Sequence, residues 1–94
     1  MTASTKRVCV ITGAGSGIGA GLARYALQYG MQVIGADIDA DGLEKLAAGN
    51  SGHRDRLSTR MLDITDTDAV ADFAEWGYAE HGKVNLLFNN AGVL

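Results

Sequence analysis

The chain of 94 residues bounds the protein to a single small domain, and 47% hydrophobic residues suffice for a core, which excludes an intrinsically disordered class. Eight basic against eleven acidic residues leave a net charge of −3. No basic cluster exceeds the pair Lys6 and Arg7, which argues against nucleic acid or an anionic membrane as partner.

The single cysteine, Cys9, has no second thiol for a disulfide. It lies in an apolar run and reads as a small buried hydrophobe rather than a nucleophile. No segment approaches the roughly 18 apolar residues of a membrane span. The N-terminal apolar run breaks at Gly13, too soon for a secretory signal, so a cytoplasmic setting is expected.

In chain order, Val8–Thr12 is a β-branched run stopped by glycine and predicts a strand. Over 17–29 the apolar residues recur at three- and four-residue steps, which predicts a helix closed by Gly30. A second strand follows over 32–36 and ends at Asp37. Asp39 is placed to cap a helix over 40–48. Residues 49–56 read as a polar, solvated loop that includes Arg54, Asp55 and Arg56. A third strand is expected over 57–62, then a turn over 63–65. Thr65 and Asp68 resemble a capping box for a helix over 67–81 with Val70, Phe73, Ala74 and Gly77 on one side, and Gly82 ends it. A fourth strand is expected over 84–88. The order β-α-β-α-β-α-β implies parallel strands with right-handed crossovers, and continuous apolar strands imply a sheet covered on both faces.

The first strand-to-helix junction holds five glycines: Gly13, Gly15, Gly17, Gly19 and Gly21. Glycine there permits a tight turn and lets backbone N–H groups approach an anion, while the helix N-terminus supplies partial positive charge. No lysine follows at P-loop spacing. Gly15-x-Gly17-x-x-Ala20 fits one dinucleotide pattern weakly. Thr12-Gly13-x-x-x-Gly17-Ile18-Gly19 fits better, because Asp37 then stands at the end of the second strand, where a carboxylate can accept both ribose hydroxyls of an adenosine.

Together "TGAGSGIG", Asp37, "DIT" at 63–65 and "NNAG" at 89–92 resemble the N-terminal half of a short-chain dehydrogenase/reductase, over essentially the whole chain. That resemblance implies a partial, doubly wound Rossmann-type α/β sheet with strand order 3-2-1-4, spanning residues 1–94 as an NAD-binding domain. It implies that Gly13, Ser16, Gly17, Ile18 and Gly19 form the pyrophosphate loop. Asp37 would take the ribose, with Ile38 beside the adenine. Asp63 and Ile64 would meet the adenine, and Asn89, Ala91 and Gly92 would line the cofactor, with Asn90 bracing the sheet. One departure is visible: Asn85 stands where the family usually has Asp.

The family's serine and Tyr-x-x-x-Lys pair are absent from these residues. Tyr25, Tyr29 and Tyr78 each lack a lysine four positions on. His53 and His81 have no ligand-spaced companions, and Asp37, Asp39 and Asp41 do not open a calcium loop. The chain is therefore expected to be the cofactor-binding portion of an NAD-dependent oxidoreductase acting on an alcohol or ketone. The full-length enzyme would be a homo-oligomer, and the 94 residues alone would be inactive, would bind NAD weakly at best, and would be either poorly folded or self-associated through the strand ending at Phe88. The competing reading is a non-catalytic NAD-binding module or an inactive fragment. Gly19→Val is expected to weaken dinucleotide binding and Gly21→Ala to be tolerated.

Overall fold

Five consecutive residues, Val-Cys-Val-Ile-Thr, form β1 (Val8–Thr12), and all five are buried. A strand without polar alternation needs cover on both faces, and β1 has it. In the computed structural model, which describes residues 7–15, 17–82 and 84–89, β1 is flanked by β2 (Gln32–Asp37) and β4 (Leu86–Asn89). β3 (Leu57–Met61) pairs with β2. All pairings are parallel, and the sheet runs β3-β2-β1-β4. Three helices make the crossovers: α1 (Gly17–Gln28), α2 (Ala40–Gly49) and α3 (Thr67–His81).

The side chains of β1 divide between two cores. Cys9 and Ile11 join Val33 and pack with Ala23, Leu27, Leu43 and Leu46 of α1 and α2. Val8 and Val10 join Ile34 in a second cluster, against which Phe73, Trp76 and Val84 pack. The second cover is thinner. Gly77 is the only buried residue described in α3, and a cavity of about 440 Å³ lies between α3 and the sheet, lined by Val10, Ile34, Val70, Phe73 and Tyr78 among others. The Arg60 guanidinium of β3 sits 4.1 Å from the Trp76 ring centroid and helps hold α3 down.

Helix ends follow local chemistry. α1 stops at Gln28, one residue short of the expected end, because Gly30 turns left-handed (φ 83°). The Gly30 N–H then donates to the Leu27 carbonyl and the Met31 N–H to the Ala26 carbonyl, the paired bonds of a glycine C-cap. The Asp39 carboxylate accepts from the Gly42 N–H and starts α2. Gly82 (φ 77°) closes α3.

Three local expectations are corrected. Residues 51–56 form a 3-10 helix kinked at His53 rather than a loop; Arg54 and Asp55 are solvent-exposed as expected, but Arg56 is half-buried. Its guanidinium donates to the carbonyls of Leu27 (2.7 Å) and Met31 (3.1 Å) at the end of α1 and to His53 Nδ1 (2.7 Å). The N-cap of α3 is Asp66, whose side chain accepts from the Ala69 N–H, while Thr65 instead donates to Asp63. The ladder of β4 begins at Leu86, two residues later than expected. At Asn85 the side-chain Oδ1 accepts from the Val8 N–H while its own N–H donates to the Val8 carbonyl, so a side chain stands in for strand pairing there.

Candidate functional site

The sheet order reverses between β1 and β4, whose carboxyl ends lie side by side with Thr12 in register with Asn89. Open parallel sheets bind ligands in the crevice outside such a reversal. The β1–α1 loop rises from this point. Gly13 (φ 70°) and Gly17 (φ 55°) occupy left-handed backbone that favours glycine. A Cβ on Gly17 would meet nothing within 4 Å, so the start of α1 faces open space. No acidic side chain occupies the first turn of α1 to neutralise its dipole.

The loop is tied to β2 at two points. The buried Ala14 donates its N–H to the Ala36 carbonyl at 3.1 Å, and Gly15 donates to Asp37 Oδ2 at 2.9 Å. The other Asp37 oxygen accepts from the Asp39 N–H at 3.0 Å. Asp37 is half-buried, so its carboxylate is fixed at the strand end and still reaches the surface. Each carboxylate oxygen can accept two bonds, which leaves acceptor capacity for ligand hydroxyls.

Around this pair, Ile38 and Ile18 are exposed apolar residues, at 63% and 73%. Gly19 is buried in α1. At the end of β3 the Leu62 N–H donates to the Asp37 carbonyl at 2.9 Å, which brings the 62–64 segment beside the strand that carries Asp37. Ile64 is half-buried and lines the cavity under α3. Asp63 is exposed. The Thr65 hydroxyl (2.6 Å) and N–H (2.9 Å) both donate to its carboxylate, which holds its pKa below the ordinary value. Asn89 is placed by the β4 register alone. Ser16, Asn90, Ala91 and Gly92 lie outside the described residues.

Asn85 keeps the acceptor that the family's Asp would offer, and its Oδ1 is the atom used. Cys9 is fully buried in β1, and burial pushes its thiol pKa up, which leaves it inert.

Two glycines outside the motif prove to be packing positions. A Cβ on Gly35 would lie 3.0 Å from the Ala14 Cβ, and one on Gly42 would collide with the Gly15 carbonyl. An isolated glycine inside the strand "QVIGA" signals such an approach. Gly42, in a helix's first turn, carries no comparable sequence signal.

A parallel α/β sheet with a glycine-rich first crossover and a carboxylate at the end of the second strand defines the Rossmann class. The sequence pattern of the short chain dehydrogenase family matches residues 7–94, and the chain belongs to that family of oxidoreductases. It is 34% identical over 87 residues to a 3-oxoacyl-[acyl-carrier-protein] reductase of Thermotoga maritima, covering 93% of this chain and 35% of that protein. Against a 2-keto-3-deoxy-L-fuconate dehydrogenase of Xanthomonas campestris it is 42% identical over 84 residues, covering 89% of this chain and 25% of the relative. Among solved structures, a metagenomic short-chain oxidoreductase in complex with NADP superposes with a TM-score of 0.85 at 34% identity, covering 93% of this chain and 39% of that one. A short-chain dehydrogenase/reductase from Burkholderia phymatum in complex with NAD gives 0.79 at 30% identity, covering 93% and 31%. The chain thus spans between a quarter and two-fifths of the length of these relatives.

Proposed function

We propose that these residues are the cofactor-binding portion of an NAD-dependent dehydrogenase or reductase acting on a small alcohol or ketone. The observation that supports the reading is the bond from the Gly15 N–H to the Asp37 carboxylate, which ties the glycine loop to the carboxylate proposed to take the ribose. The residues suit the cofactor chemically. Gly13, Gly17 and Gly19 with the first turn of α1 would hold the pyrophosphate, joined by Ser16 and Ile18. Asp37 would accept the ribose hydroxyls, with Ile38, Asp63 and Ile64 around the adenine. Asn89, Ala91 and Gly92 would line the path toward the nicotinamide, which supplies the hydride acceptor when bound. No Tyr-x-x-x-Lys occurs in these residues, and no proton-transfer role is proposed for them.

Asp37 also supports NAD over NADP. A 2′-phosphate at the ribose would face the carboxylate, and like charges 4 Å apart at an effective dielectric near 20 repel by about 4 kcal/mol before screening. The neighbouring Ile38 offers no compensating cation. Calorimetric titration of the full-length protein should give NAD binding at least about tenfold tighter than NADP. Equal or tighter binding of NADP would overturn the preference, and no saturable binding of either would overturn the dinucleotide reading.

A further inference from the structure

Glycine in the first turn of a helix is unfavourable by propensity alone, so Gly42 in α2 calls for a reason. A Cβ there would fall inside contact of the Gly15 carbonyl oxygen and lie 2.9 Å from both the Gly15 carbonyl carbon and Asp39 Oδ2. From the other side, a Cβ on Gly15 would lie 2.9 Å from Asp37 Oδ2 and 3.2 Å from the Gly42 Cα. The Asp39 carboxylate could swing away, but the Gly15 peptide is backbone. That peptide is also held in place, since its N–H donates to Asp37 Oδ2 at 2.9 Å. Gly49 in the same helix and Gly21 in α1 face open space, so the crowding at Gly42 does not come from helical position alone.

We infer that Gly42 is a positioning residue for the dinucleotide site proposed above, and the inference rests on that reading. Its missing side chain lets the first turn of α2 lie directly against the Gly15 peptide, and this contact holds the Gly15 N–H on the Asp37 carboxylate. A methyl group at Gly42 displaces the Gly15 peptide. The peptide then either leaves Asp37 or drags the carboxylate with it. Both change the spacing between the proposed phosphate cradle and ribose acceptor, which one adenosine diphosphate unit of fixed bond lengths must span. Gly42 therefore governs adenosine-end affinity without touching the ligand.

Heteronuclear NMR and NAD titration of the full-length protein, unaltered and with Gly42→Ala or Gly49→Ala, test this. Gly42→Ala is expected to shift the Gly15 amide resonance, speed its hydrogen exchange and raise the NAD dissociation constant about tenfold or more. Gly49→Ala should do none of these, and in both variants the Cys9 thiol should stay unreactive, which reports an intact β1. A folded Gly42→Ala that binds NAD as Gly49→Ala does overturns the inference alone. An unaltered full-length protein without saturable NAD binding overturns the proposed function and this inference with it. An unprotected Gly15 amide in the unaltered protein overturns the inference without any variant, and so decides even where Gly42→Ala does not fold.

Discussion

The guanidinium of Arg56 reaches the end of α1, where the Leu27 carbonyl lies at the negative end of the helix dipole, and it also donates to the Met31 carbonyl just beyond the helix. A guanidinium only donates, so His53 Nδ1 accepts from it, and the ring's proton belongs on Nε2. Hydrogen bonds to charged groups contribute about 1.5–3 kcal/mol each where removal strands a partner, so Arg56→Ala should lower the unfolding free energy by about 2 kcal/mol in urea titration. Arg56→Lys should recover only part of it, because one ammonium cannot match the fork of the guanidinium. Asp63 makes a separate, pH-dependent contribution. Its folded pKa is depressed by the Thr65 hydroxyl and N–H, so its stabilising effect is fully present above the unfolded value near 3.9 and is lost as pH falls through the folded pKa. The stability difference between the native protein and Asp63→Asn should therefore be constant near neutrality and shrink below about pH 4. A difference that persists unchanged into acid would contradict this.

At the scale of elements, the two faces of the sheet are unequal. Leu27 of α1 is 0% exposed in the closed core, whereas Phe73 of α3 is half-buried beside the cavity. Leu27→Ala should destabilise by about 3–4 kcal/mol, as large-to-small changes in tight cores do. Phe73→Ala should lose about half as much despite removing more atoms, because its surroundings are already open. Equal losses in denaturant titration would show that α3 packs as tightly as α1. The glycines of α1 also separate. Gly19 is buried, while a Cβ on Gly21 would meet nothing within 4 Å. Gly21→Ala should raise stability by up to about 1 kcal/mol through helix propensity, measured by the same titration.

For the whole molecule, β4 is the outermost strand on its side of the described sheet and pairs only with β1 among the described residues. An apolar edge strand with free ladder groups is a template for another chain. The 94-residue chain should therefore self-associate with rising concentration in sedimentation equilibrium. A monomer across the micromolar range would refute this.

The sequence by itself determined the elements and the reach of the glycine motif, because both rest on local rules. Strand runs, helix periodicity, the Asp39 cap and the Gly30 and Gly82 stops are each decided within a few residues. Local reading failed where a polar side chain had two local uses. Thr65 looked like a cap, but its hydroxyl is taken by Asp63, and Asp66 caps instead. The tertiary structure alone decided the contacts between distant residues: Gly15 with Asp37 at a separation of 22 residues, Arg56 with Leu27 at 29, and Val8 with Asn85 at 77. A polar segment such as 51–56 reads as solvated until the carbonyls at and beyond a helix end arrive beside it. Gly42 reads as a weak helix residue until the Gly15 carbonyl is brought against it. In each case the partner comes from the parallel crossover, which no short stretch of sequence contains.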